Sequence, residues 1–206
     1  MNNRKKKPIV IFMVLIGIIL SIIVAVYIIL FLVSKNNHPS TVGDVFLYEP
    51  DYDAQILSEE EYLLLDRSVK YSDGIGNWPI SDQNGVSTGD TVQLFLIDYI
   101  DDLVRGDAES LREKYSQRVI DELNIPSRMT QQRVYDIMFT EMSRKEVKEK
   151  GEIYFRYEFK AEYKIMRNDG TFRRDLASDS IKGQYLTIEQ HADRVLITQV
   201  VDYAVK

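Results

Sequence analysis

Residues 152–166 read EIYFRYEFKAEYKIM, and their pattern decides the class of fold. The odd positions carry Ile153, Phe155, Tyr157, Phe159, Ala161, Tyr163 and Ile165. The even positions carry Glu152, Tyr154, Arg156, Glu158, Lys160, Glu162 and Lys164. Alternation with a period of two sends successive side chains to opposite faces of an extended chain. The spacing predicts one long half-buried strand, with Phe155, Tyr157, Phe159 and Tyr163 on its core face and the charged residues in water.

Downstream, Asn168-Asp169-Gly170 predicts a tight hairpin turn. A second strand is expected from Thr171, fading near Ser178-Asp179-Ser180, and a third from about Ile181 to Gln190. His191-Ala192-Asp193 turns the chain into a last strand from Arg194 to Val205. That strand is apolar on both faces (Val195, Ile197 and Val201 on one, Leu196 and Val200 on the other), so it is expected to be central or covered by a partner.

Upstream the period is helical. Val92, Leu96, Tyr99, Ile100, Leu103 and Val104 fall on one face of a helix that starts near Asp90. Gly106 is placed to end it as a C′ glycine, and Asp107 to cap a helix from Ala108 to about Ser116. A further short helix, Gln117 to Asn124, stops before Pro126. Thr130 is read as starting another, with Val134, Ile137, Met138 and Glu141 at helical spacing, running into the charged stretch 143–150 that Gly151 closes. The fold class expected is α+β: an N-terminal transmembrane helix, then three helices packed on a curved four-stranded antiparallel sheet, a half-open cone over 90–206.

The transmembrane helix is Ile9–Val33, twenty-five residues without a charge, preceded by Arg4-Lys5-Lys6-Lys7. At about 1.5 Å per residue it spans roughly 37 Å, enough for a tilted crossing. Pro8 suits the helix start, and Gly17 and Ser21 form a small-xxx-small pair. The apolar run is longer than a signal peptide's and lacks an A-x-A site, so it reads as an uncleaved anchor. The basic flank puts residues 1–8 in the cytoplasm as a short tail and the rest outside the cell membrane. Residues 34–89 read as an extracytoplasmic stalk. Ser58 and Glu61 form a capping box for a short helix near 58–67, and Trp78-Pro79-Ile80 is the apolar point of the loop 71–90.

Composition excludes several chemistries. Zero cysteines remove disulfides, thiolate metal sites and cysteine nucleophiles. The two histidines, His38 and His191, are 153 positions apart, so no His-rich metal motif exists and no metal or cofactor is expected. Without the four basic tail residues, 22 Lys+Arg face 32 Asp+Glu, a net of −10 that disfavours direct nucleic-acid binding. No phosphate loop or serine-nucleophile motif is present. The core face of the strand at 152–166 offers hydroxyls but no carboxylate, and Asp98, Asp101 and Asp102 are assigned to the polar side of the first helix. His191 beside Asp193 is the one tempting acid–base pair. The chain is therefore not expected to be an enzyme.

The helix-to-helix junction Leu103-Val104-Arg105-Gly106-Asp107-Ala108-Glu109-Ser110 and the strand meander after Gly151 resemble the nuclear transport factor 2-like superfamily of cone folds. Its members include isomerases, dehydratases and pure interaction modules. The whole arrangement of tail, anchor, stalk and cone is similar to the eighth VirB subunit of type IV secretion and conjugation systems, in a Gram-positive variant. Asn168-Asp169-Gly170 stands where Gram-negative members of that family carry Asn-Pro-x-Gly, and lacks the proline. The resemblance implies a single-pass scaffold that self-associates and contacts other channel subunits. The partner contacts expected are Phe46, Tyr48, Leu64, Trp78, Asn168, Asp169 and Gly170, with docking of Trp78 on its own domain as the alternative. Two other functions remain open: an envelope accessory or sensor protein binding a small ligand or polymer, and a cone enzyme.

Overall fold

A computed structural model describes residues 45, 47–84, 86–123 and 125–204. The chain divides into two units, Met1–Gly43 and Asp44–Lys206, and every described residue falls in the second. The basic tail, the run Ile9–Val33, the pair Gly17 and Ser21, and Phe46 lie outside the described residues. Among the described residues no helix is long and apolar enough to cross a membrane.

Six strands form one mixed sheet: β1 (Val69–Ser72), β2 (Asn77–Pro79), β3 (Arg133–Glu149), β4 (Glu152–Met166), β5 (Lys182–Gln190) and β6 (Val195–Ala204). Their order across the sheet is β2-β1-β3-β4-β5-β6. β1 lies parallel to β3, with Val69 beside Ile137, and the other neighbours are antiparallel. The described helices are α1 (Glu60–Leu63), α2 (Thr91–Arg105), α3 (Ala108–Glu113) and α4 (Gln117–Leu123). This overturns the expected cone of three helices on four antiparallel strands. β1 and β2 come from the segment read as stalk and loop. No strand occupies 171–180, where an ordered loop joins β4 to β5. The helix expected near 58–67 is a single turn, and Ser58 does not cap it: its hydroxyl donates to the Gln55 carbonyl at 2.7 Å.

The largest correction is β3, read from its sequence as a helix. Two bulges explain the error. Between Tyr135 and Met138, and again between Glu141 and Ser143, β3 carries an extra residue against β4. A bulge resets the inward phase of a strand. Val134, paired with Ile165, and Phe139, paired with Ala161, therefore share a face with Ile137, and further along Glu141 pairs with Phe159 and Arg144 with Tyr157. Inward positions at 134, 137, 141 and 144 imitate a helical stripe. Asp136, the bulged residue, takes φ +52°, and its amide donates to the Asp66 carbonyl at 2.9 Å. The β-branched and aromatic content of 133–140 was the competing strand signal.

α2 behaves as its sequence predicts. Asp90 accepts from the Val92 and Gln93 amides, and the Gln93 side chain returns the bond to Asp90 N at 3.1 Å. Val92, Leu96, Tyr99, Ile100 and Leu103 are buried. They pack with Ile137, Phe139, Phe159, Tyr163 and Ile165 in one core cluster. Each such side chain removed from water contributes about 1.5–3 kcal/mol. Gly106 ends the helix at φ +68°, where an added Cβ would sit 2.7 Å from the Thr130 carbonyl carbon. Asp107 caps α3 through the Ser110 amide. Asp102 departs from expectation: it is 1 % exposed rather than solvated. Its carboxylate pairs with Lys114, at the end of α3, and with Arg105 at 3.0 Å.

A second small cluster joins Ile56, Tyr62, Tyr135 and Met166. It fixes the segment before β1 onto the sheet, and two further contacts secure it. The Tyr62 hydroxyl donates to the Val134 carbonyl at 2.9 Å, and Arg133 holds Glu59 in a two-pronged ion pair.

Candidate functional site

The helix-covered face of β4 is filled. Phe159 and Tyr163 are fully buried, and Tyr157 nearly so. Tyr71 meets Phe159 edge-on at 6.0 Å, and Tyr157 stacks on it at 6.1 Å. Phe155 departs from the expected inward face and is 42 % exposed, as is neighbouring Ile153 at 59 %. Both lie on the part of the β3–β4 hairpin that reaches past the core, where Tyr154 on the opposite face is buried instead. Burial raises the phenol pKa of Tyr163, as it does for Tyr99 and Tyr115 beneath it, so these hydroxyls stay protonated hydrogen-bonding groups. Among the described residues no group of three or more His, Asp or Glu is placed to hold a metal ion.

The residues expected to meet partners separate into two sets. Tyr48 comes together with Asn168, Asp169 and Gly170. The Tyr48 amide donates to the Asn168 carbonyl at 2.9 Å, and Leu47 lies against Gly170. Asn168 is fully buried. Its side-chain nitrogen donates to the Arg173 and Leu176 carbonyls at 2.7 and 2.6 Å, and its side-chain oxygen accepts from the Gly170 amide. Asp169 is bound to Thr130 and Thr171. This tripeptide does not turn a two-stranded hairpin; it organises the start of the loop 167–181. Leu64, 81 % exposed, and Trp78, 39 % exposed, stand away from it. Trp78 is in β2 at the sheet edge, with its ring 5.3 Å from that of Tyr71. Phe46 is outside the described residues.

His191 does not pair with Asp193. It stacks on Tyr154 at 4.7 Å, with its ring nitrogens 3.6 Å from Glu152 and Glu189.

Among the described residues a cleft of about 770 Å³ opens between the α4–β3 connection and the loop 167–181. Four arginines line it: Arg112 from α3, Arg128 from the connection, and Arg173 and Arg174 from the loop. Arg173, 6 % exposed, forms its floor. Its Nε and Nη2 donate to Asp175 at 2.7 and 2.8 Å, Nη1 donates to the Tyr163 hydroxyl at 3.3 Å, and Asp202 lies 3.4 Å away. Burial alone would lower the Arg173 pKa, but Tyr163, Asp175 and Asp202 outweigh it, so the guanidinium is held firmly protonated. Among the described residues the other three keep donors free. Arg112 gives one N–H to the Ile125 carbonyl at 2.6 Å. Arg128 lies 3.8 Å over the Tyr52 ring. Arg174 has no hydrogen bond or ion pair among the described residues. Sequence reasoning missed this site because its arginines are scattered over three elements; the adjacent pair Arg173-Arg174 was the one local signal.

Fold and site together define an α+β domain with a closed aromatic core and a cationic cleft at one end. No protein-family model and no curated protein matches this sequence.

Proposed function

We propose that this chain is a non-catalytic, single-pass membrane scaffold: an assembly subunit of a conjugative type IV secretion channel, comparable in arrangement to the eighth VirB subunit. The observation that carries the non-catalytic part is the packing of Phe159 and Tyr163, both fully buried, where a reacting group and its substrate would need space. The anchor Ile9–Val33 and its basic flank support the single-pass topology, N-terminus inside and the C-terminal domain outside. Exposed Leu64 and Trp78 supply apolar contact points for copies of itself or for other subunits. Deleting the gene from a conjugative element tests this reading. Transfer should fall by orders of magnitude and return when the gene is supplied in trans; normal transfer from the deletion strain would sink it.

The cleft of about 770 Å³ favours a second reading, an envelope accessory or sensor protein that binds a ligand there. Under that reading the deletion leaves transfer intact, and the cleft arginines are needed for an envelope phenotype instead.

A further inference from the structure

We infer that the arginine-lined cleft is a binding site for an extended acidic peptide that also carries aliphatic or aromatic side chains. The inference stands on the cleft alone and holds whether or not the chain serves a secretion channel. Three observations point to it. First, Arg112, Arg128 and Arg174 line one cleft with donors unspent among the described residues, in a chain whose residues 8–206 carry a net charge of −10. Like charges brought together repel, and the carboxylates in the cleft lining, Asp175 and Asp202, are already engaged with Arg173. The guanidinium fork matches a carboxylate in two-pronged geometry. Second, apolar surface interleaves with the cations: Leu123, 42 % exposed, and half-buried Phe172, with Ile125 packed into the core behind them. A lone inorganic anion leaves that surface wet, whereas a peptide covers it with alternate side chains while its carboxylates reach the rim. Third, about 770 Å³ is the size of a site for several residues of chain.

The floor is built to stay in place. Arg173 is locked by Asp175, Asp202 and Tyr163, and Asn168 ties the loop that carries Arg173 and Arg174 to itself. The site therefore needs little ordering on binding, which favours affinity. Exposed Arg128, stacked on exposed Tyr52, and exposed Arg174 form the rim.

The test uses the full chain in an uncharged detergent and a fluorescein-labelled hexapeptide of alternating glutamate and leucine, followed by fluorescence anisotropy. Binding should saturate and weaken as salt rises. The same peptide with glutamine for glutamate should bind at least about tenfold more weakly. The double variant R128A/R174A should lose about tenfold in affinity while keeping the wild-type melting temperature, because both side chains lie on the surface. R174K should keep the charge but lose part of the affinity. The inference is overturned if the glutamine peptide binds equally well, if R128A/R174A binds like wild type, or if no binding occurs at about 1 mM peptide. It is also overturned if inorganic phosphate or phosphatidylglycerol vesicles engage these arginines while the acidic peptide does not.

Discussion

Asp102 shows how much one side chain can hold. Its carboxylate is nearly inaccessible and joins α2 to the end of α3 through Lys114, whose own side chain is 16 % exposed. Removing one member of a buried ion pair strands the other, at a cost of about 3–5 kcal/mol. Asp102→Ala should lower the melting temperature by roughly 10 °C, measured by calorimetry or far-UV circular dichroism. A change of a degree or two would mean that Lys114 finds another carboxylate. At this scale the sequence was legible where the signal is local. Gly106 and Asp107 announce a helix end and a cap through their neighbours alone, and both behave so. Asp102 looks like any polar residue on an amphipathic helix, because its burial depends on Lys114 twelve positions away. Arg112, Arg128 and Arg174 form a cleft for the same non-local reason.

Between elements, the pair of Glu59 and Arg133 fastens the segment before β1 to the start of β3. The hydrogen bonds from Arg133 hold the Glu59 carboxyl below its ordinary pKa, with burial opposing. Asp66 is depressed in the same way by Lys70 and Ser68, and Asp107 by the Ser110 amide and hydroxyl. A carboxylate depressed in the folded state stabilises it fully above the unfolded value of about 4, and that stability is lost as pH falls through the folded pKa. The urea midpoint should therefore be flat above about pH 5 and drop below pH 4, and Glu59→Gln should both lower the neutral midpoint and shallow the acid slope. An acid limb of unchanged slope in Glu59→Gln would remove Glu59 from the account. β4 was legible to its end residues because a nearly strict alternation over its length has one interpretation, although its inward face was misassigned at Ile153, Tyr154 and Phe155. β3 was not, because its two bulges shift the inward phase and counterfeit a helix. β1 and β2 are too short for periodicity to register, and β1 finds its parallel partner 68 positions downstream.

For the whole molecule, the placement of β1 matters more than its length. It covers β3 from Ile137 to Thr140, and β2 then closes that side of the sheet with a three-residue strand that includes Pro79. Proline at an edge removes a donor and discourages a further strand from pairing. A fragment beginning at residue 90 leaves that stretch of β3 uncovered, with Val134, Ile137 and Phe139 losing neighbours. It should aggregate during gel filtration, whereas a fragment from residue 45 should elute as a single sharp species. A well-behaved, cooperatively melting 90–206 fragment would show that β1 and β2 are accessories.

One contact described above also has a mechanical meaning. Leu47 and Tyr48 sit on the tripeptide 168–170, which opens the loop carrying Arg173 and Arg174. Tension applied to the chain ahead of residue 45 is therefore delivered first to that loop, before it loads any strand of the sheet. The segment that begins at Val45 is in effect a lanyard tied to the rim of the cleft, so a tug on one and occupancy of the other act on the same few residues.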